Sequence, residues 1–474
     1  MKETIIVIGN GMVGHKFIEM MNEREANERY QIVTFCEEPH TAYDRIHLSE
    51  YFSGKTADDL MLATPEGYRQ NNVQVFVGDR VASIDRESQK VTSSKGVVIR
   101  YDKLVLATGS YPFVPPIQGK EASGTFVYRT LEDLDAIKSY AQNSKIGVVL
   151  GGGLLGLECA NALKLLGLQT HVVEFAPRLM TIQVDDPGAA LLRRKIEALG
   201  VQVHTGKSTT EIVAQDGKVA GMLFADGSNL ATDMIVFSAG IRPRDELGRQ
   251  AGLTLGERGG IVIDEDCRTS DPNIYAIGEC ALYKNRIYGL AAPGYKMAEA
   301  VVDNLMGASE PSRFTGADMS TKLKLMGVDV ASFGDAFAVL TGAREISMVD
   351  ALGGTYKKIV VDAEGKKLMG GILVGDASGY GMLHQIMQNG MALPPHPEDL
   401  ILPTRDSKPG GIGVDMLPAS AKICSCENVD KATICNAISA DGANTIGALK
   451  KCTKAGTGCG GCVPLMTEIL KAEM

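Results

Sequence analysis

"TIIVIGNGMVGHKFIEMM", residues 4–21, is the stretch on which the reading of the fold turns. The apolar run Thr4–Ile8 has the length and content of a buried strand. Gly9-x-Gly11-x-x-Gly14 follows it directly, and a helical pattern follows the glycines. "QIVTFCEE" (31–38) supplies the next strand. The same order returns at 146–174 in "IGVVLGGGLLGLECANALKLLGLQTHVVE", with Gly151-x-Gly153-x-x-Gly156 at its turn. Two copies about 140 residues apart are a duplicated unit, not a solenoid. Strands alternating with helices predict parallel βαβ units and helix-covered sheets, so the fold class is α/β with two Rossmann-like domains.

Each glycine has a physical reason. The first permits a tight turn, the second lets a pyrophosphate approach the backbone, and the third lets helix pack on strand. The helix N-terminus then faces the phosphates. Glu37 ends the second strand of the first unit, where a carboxylate can accept both ribose hydroxyls, with Glu38 as the neighbouring alternative. Glu174 has the same place in the second unit. A 2′-phosphate beside Glu174 meets like charge, so NADH is favoured over NADPH. Arg178 can soften that preference, or it is a solvated surface arginine.

Composition narrows the classes further. The 474 residues give a length prior of about three domains. A formal charge of −9 lacks the signature of a nucleic-acid binder. The stretch Ile146–Leu168 carries Glu158, Lys164 and six glycines, which argues against a membrane span. No signal-peptide layout opens the chain, so a soluble, cytoplasmic protein is expected. Beyond residue 310 the pattern changes to a smaller α+β region, and "PPHPEDLILPTRDSKPGG" (394–411) reads as a linker.

Six of the ten cysteines fall in the last 51 residues. Cys424, Cys426, Cys459 and Cys462 form C-x-C, a gap of 32 residues, and C-x2-C. Four thiolates suit zinc or a 2Fe–2S cluster. The tight C-x-C and the glycine-rich "CTKAGTGCGGC" (452–462) favour the cluster, with zinc second and disulfides third. A tail of about 50 residues is expected to have little core of its own and to need its metal to stay folded. Cys435 and Cys452 are left as non-ligands, and Cys36 as packed core.

"KLVLATGS" (103–110) and "TSDPNIYAIGECA" (269–281) resemble segments of the two-dinucleotide flavoprotein reductases. That resemblance implies FAD at the first fingerprint, with Ala107, Thr108 and Gly109 packed at the flavin dinucleotide. Glu279 stands where most relatives place an aspartate on the ribityl chain. "YDRIHLSEYF" (43–52) resembles the flavin-contacting loop, with Arg45 as its cation; Glu50 stands where many relatives have lysine. Glu158 matches a family acid near the nicotinamide path, and a helix-surface charge accounts for it equally well. No C-x4-C pair follows the first unit, so dithiol chemistry is not expected.

The tail resembles the bacterioferritin-associated ferredoxin-like domain, and "VVLGGGLLGLE", "FSAGIRPRD" and "ILPTRDSKPGGIGVDMLP", among other stretches, resemble the large subunit of NAD(P)H-dependent nitrite reductases. That resemblance implies electron flow from NADH through FAD and a [2Fe-2S] cluster to a sirohaem centre that reduces nitrite to ammonia. The sirohaem module's C-x5-C and C-x3-C pairs do not occur here, so this chain alone is not expected to reduce nitrite. Its expected partner is a sirohaem-containing module or subunit. Other acceptors, nitrate reductase among them, stay open, as does a sensing or docking tail. The domains are expected at 1–114 with 240–310 (FAD), 115–239 (NAD), 311–405 (α+β interface domain), 406–419 (linker) and 420–474 ([2Fe-2S] module). The 311–405 region is a candidate homodimer interface, and a plain packing domain explains it equally well.

Overall fold

A computed structural model describes residues 2–402 and 413–473. The chain forms two compact units. The first joins Met1–Phe113, Arg129–Asp135 and Gly240–Ala317; the second joins Val114–Tyr128, Ala136–Ala239 and Asp318–Met474.

The first unit is built on a five-stranded sheet in the order Ile274–Ala276, Lys103–Leu106, Glu3–Ile8, Tyr30–Cys36, Val73–Val77. Every pairing is parallel. Its central strand is apolar without alternation, and Ile5 to Ile8 are all buried, as a strand covered on both faces requires. The helix Met12–Glu23 makes the crossover, and Ala291–Met306 packs beside it. A three-stranded antiparallel sheet spans Val81–Arg100.

The second unit repeats the scheme in the order Gln202–Thr205, Gln169–Glu174, Ile146–Leu150, Met234–Phe237, Thr125–Val127. It adds a five-stranded antiparallel sheet in the order Thr321–Leu325, Val328–Gly334, Leu368–Val374, Thr355–Val361, Arg344–Asp350, followed by the helix Tyr380–Gln388. This is the α+β region foreseen after residue 310. Half of the linker expected at 406–419, residues 406–412, lies outside the described residues.

The tail has two short strands, Lys422–Cys424 and Val429–Asp430, and the helices Lys431–Ser439, Ile446–Thr453 and Val463–Glu473. Contrary to expectation, it owns a core: Ile423, Ile434, Leu449, Met466 and Ile469 are among its buried residues. The three short helices turn their apolar faces inward around Leu449 and Met466. Met382 and Met391, from the region of the preceding helix, pack against that core.

Two buried polar sites in the second unit are structural. Lys358, 3% exposed at its side chain, pairs with Asp185 at 2.8 Å and Glu345 at 2.9 Å. Asp185 also accepts from the Tyr356 hydroxyl at 2.7 Å and caps the helix Asp186–Ala198 through the Gly188 amide. On neighbouring parallel strands, the His171 and His204 rings stack at 5.3 Å, with Nδ1 of His171 3.0 Å from Nε2 of His204. Burial lowers the pKa of both rings; for His204, Lys207 and Arg193 add to it.

Asp185→Ala should destabilise by about 2–4 kcal/mol, because a capping oxygen is lost and a buried ammonium keeps only Glu345. Asp185→Ala with Lys358→Met should recover part of that loss, read as a denaturant midpoint. The histidine pair sets a pH dependence. Unfolded histidine takes up a proton near pH 6.5, whereas the folded pair resists it. Stability is therefore full above that pH and falls as the pH drops below it. His204→Gln should show a smaller fall between pH 7 and 5 in the same measurement.

Candidate dinucleotide and cluster sites

In the first unit the chain turns at Gly9, whose φ is +107°. A Cβ there would lie 2.2 Å from the Ala107 carbonyl oxygen, and one on Gly14 would lie 2.1 Å from the Gly9 oxygen. These two glycines are required by the protein's own packing. Gly11 is different. Its backbone is extended, a conformation any residue adopts, and a Cβ there would meet nothing within 4 Å. It caps the helix Met12–Glu23 without a side-chain bond, which leaves the first-turn amides open. Nothing in the chain needs a glycine at 11. A ligand phosphate seated on those amides does, so the residues fit the pyrophosphate of FAD.

Around this turn the expected residues converge. The Ala107 amide donates to the Ile8 carbonyl at 2.8 Å, and the Thr108 hydroxyl donates to the Arg244 carbonyl at 2.6 Å. Gly109 follows with φ +70°. Glu37 forms an ion pair with Arg244 in which both side chains are partly exposed. Glu38 is engaged elsewhere: it pairs with Arg45 and accepts from the Tyr43 hydroxyl at 2.6 Å. Burial opposes the Arg45 charge, yet Tyr43 and Glu38 together hold its pKa above the ordinary value. Arg45 also donates to the Arg129 carbonyl at 2.8 Å. The Arg129 guanidinium reaches Glu279 at 2.7 Å, and Glu279 accepts from the Ser110 hydroxyl at 2.6 Å. Arg129 thus links Arg45 to Glu279, a role not readable from sequence because the partners stand 84 and 150 positions away. Arg244 was also missed, although it lies inside the quoted "FSAGIRPRD".

Cys36 is the packed thiol expected. Burial pushes its pKa up to about 12, and it donates to the His40 carbonyl at 2.7 Å.

The second unit reproduces the turn. A Cβ on Gly151 would fall 2.2 Å from the Ser238 oxygen and one on Gly156 2.0 Å from the Gly151 oxygen, while Gly153 again meets nothing within 4 Å. The helix Leu154–Leu165 again starts without a side-chain cap. The structure therefore fits a second dinucleotide, NAD(P)H, by the same test. Glu174 accepts from the Gly152 amide at 2.5 Å and from the Ala176 amide at 2.7 Å, so its carboxylate is held at the glycine loop. Arg178 is not a solvated arginine. It donates to the Val184 carbonyl at 3.1 Å and pairs with Asp186 at 3.0 Å. Glu158 lies half-buried in the helix Leu154–Leu165. Its charge adds to burial and to Cys159 in raising the Tyr128 pKa.

In the tail the four cysteines come as two pairs. Cys426 donates to Cys459 with the sulfurs 3.3 Å apart. The Cys424 sulfur accepts from Cys462, and the Gly456 and Glu427 amides also point at it; against burial, these draw its pKa down to about 6. Their partners' hold on the proton, with burial, raises Cys426 and Cys462. A Cβ on Gly458 would press on Cys426 at 3.1 Å. Among the described residues no three or more His, Cys, Asp or Glu are arranged to hold one metal ion. Four thiols brought together would supply the donor set of a [2Fe-2S] cluster. Cys435 instead reaches Glu473 at 3.5 Å, and Cys452 is exposed. No helix among the described residues is long and apolar enough to cross a membrane.

Comparison with known proteins agrees with this architecture. Residues 3–300 match the pyridine nucleotide-disulphide oxidoreductase model, 320–391 the rubredoxin NAD+ reductase C-terminal domain, and 422–472 the BFD-like [2Fe-2S] binding domain. The nitrite reductase [NAD(P)H] large subunit of Klebsiella oxytoca is 56% identical over the whole chain, which spans 49% of that protein. The assimilatory nitrate reductase electron transfer subunit of Bacillus subtilis is 34% identical, over 99% of this chain and 60% of that one. The ferredoxin reductase for the CYP199A2 system of Rhodopseudomonas palustris superposes with a TM-score of 0.76 at 25% identity, covering 85% of this chain and 98% of that one. The chain is an NAD(P)H-dependent oxidoreductase that uses FAD and a [2Fe-2S] cluster, and it belongs to the pyridine nucleotide-disulphide oxidoreductase family.

Proposed function

We propose that this chain is the electron-input part of an NADH-dependent nitrite reductase, delivering electrons to a sirohaem module that converts nitrite to ammonia. The observation that carries the reading is the identity with a nitrite reductase large subunit over the full chain, cluster module included. The chain spans about half the length of that relative, and the acceptor therefore belongs to the proposal. The likeness to a nitrate reductase electron transfer subunit favours a second reading with the same electron input and a different protein acceptor. The six cysteines outside the proposed cluster are free thiols, which agrees with a reducing, cytoplasmic setting.

Each residue group has a role in this reading. Gly11 and Gly153 leave room for pyrophosphate at the two helix starts. Glu37 and Glu174 accept ribose hydroxyls. Arg45, Thr108 and Glu279 line the flavin side, with Arg129 and Arg244 fixing them. Cys424, Cys426, Cys459 and Cys462 hold the cluster. Bound FAD supplies the conversion of a two-electron hydride into single electrons, and the cluster supplies a one-electron carrier.

Glu174 gives a coenzyme test. Two unit charges about 4 Å apart interact by about 4 kcal/mol at an effective dielectric near 20. Solvent at a ribose edge cuts that to roughly 1–3 kcal/mol, or about 5- to 150-fold in kcat/KM in favour of NADH over NADPH. Glu174→Ala should lower the ratio and leave the flavin spectrum unchanged. Equal parental values for the two coenzymes would remove Glu174 from the ribose.

The relay is tested by Cys459→Ser. The variant should keep its FAD and its NADH-driven reduction of ferricyanide, lose iron and acid-labile sulfide, and lose most transfer to a protein acceptor. Nitrite should be consumed by neither form until a sirohaem component is added. Parental transfer by a variant lacking the cluster would make the tail a docking or sensing module.

A further inference from the structure

Phe175 is the residue directly after Glu174, and it is 76% exposed, more than any other Phe or Tyr among the described residues. A lone exposed apolar residue needs no explanation when it sits on a loose surface loop. Phe175 does not sit on one. The Ala176 amide is bound by Glu174 at 2.7 Å and the Ala176 carbonyl accepts from Gly206 at 2.8 Å. The Glu174 carbonyl accepts from Lys207 at 3.0 Å, and the Met180 amide donates to the Gly152 carbonyl at 3.0 Å. The backbone on both sides of the ring is thus tied to the second glycine loop and to the end of the neighbouring strand. The structure spends several hydrogen bonds to hold in water a side chain that contributes nothing to the core.

The chemistry of the dinucleotide says what belongs there. Glu174 is held where a carboxylate meets a ribose 2′-hydroxyl, and the carbon bearing that hydroxyl is bonded to the carbon that carries the adenine. Phe175 follows that acid directly, so it stands at the adenosine end of such a coenzyme and not at the nicotinamide end. A planar apolar ring suits the face of a purine and makes no hydrogen-bond demand of it.

We propose that Phe175 is a specificity residue of the second dinucleotide site, a stacking platform for the adenine of NADH. The proposal rests on the reading that this fingerprint binds NADH. It assigns the ring to the adenosine half of the coenzyme and gives it no part in hydride transfer.

The test compares NADH with reduced nicotinamide mononucleotide, which carries the reacting ring and lacks adenosine. The full chain with its FAD is assayed with ferricyanide as acceptor. Phe175→Ala should raise the KM for NADH by about 5- to 50-fold, within the span measured for single base–aromatic stacks. Its kcat, its flavin content and its KM for the mononucleotide should stay parental. Phe175→Tyr, which keeps the ring, should stay within about twofold of the parent for both substrates. A parental KM for NADH in Phe175→Ala overturns the proposal and leaves the NADH assignment standing. An equal rise for both substrates also overturns it, because the ring would then be supporting the loop. A parent chain whose flavin NADH does not reduce overturns the coenzyme reading and this proposal together.

Discussion

Both dinucleotide sites depend on one steric constraint, the contact of a side-chain-free Cα with the carbonyl oxygen of a neighbouring strand's end. Gly9 meets Ala107 and Gly151 meets Ser238, and an added Cβ would come to 2.2 Å in each case. That closeness lets the chain leave its strand, reverse, and begin a helix directly over the sheet. Gly14 and Gly156 then seat the helix on the turn, where an added Cβ would come to 2.1 and 2.0 Å from that glycine's oxygen. Two separate stretches of the chain meet the same geometric demand in the same way. Once the turn is made, the helix start and its open amides follow.

The two carboxylates proposed to accept ribose hydroxyls, Glu37 and Glu174, are held differently, and the difference bears on their chemistry. Glu37 has a partly exposed cation, Arg244, and an exposed ion pair of this kind is a weak constraint that ribose hydroxyls can share or displace. Glu174 has two backbone amides, one from the glycine loop itself. Its position is fixed by the same turn that places the phosphates, so the acid and the pyrophosphate seat are set by one piece of backbone. A tightly retained flavin dinucleotide and a coenzyme that binds and leaves at each turnover place different demands on a site. Pre-positioning is the more useful of the two for the coenzyme that must be recaptured each time.

Much of this was legible in the sequence because the governing interactions are local. Strand, glycine turn and helix sit within the 21 residues Glu3–Glu23, and each glycine acts on atoms of its own unit or the adjacent strand end. The cysteine spacing was legible for the same reason. The polar links were not. Arg129 joins Arg45 to Glu279 across separations no periodic pattern records, and Lys358 finds Asp185 on a helix far back in the chain. The core of the tail was underestimated for a related reason. Its helices run only 8 to 11 residues, too short for an apolar stripe to stand out, and their inward faces become a core only when all three are brought together.

That core changes what the cluster ligands are asked to do. In a module without apolar packing, four thiolates would have to supply the folding energy themselves. Here Leu449, Met466 and Ile469 supply apolar packing beside the ligands, which need not carry the folding alone and can be unequal. They are so: Cys424 is buried and takes two backbone amides, while Cys459 is exposed. Amides aimed at a thiolate stabilise its negative charge, and burial destabilises it, so Cys424 is tuned by backbone and Cys459 by water. On the relay reading, this asymmetry gives the cluster a protected side and an open one. An electron carrier needs both: an interior that fixes the geometry of its ligands, and an edge that a partner can approach.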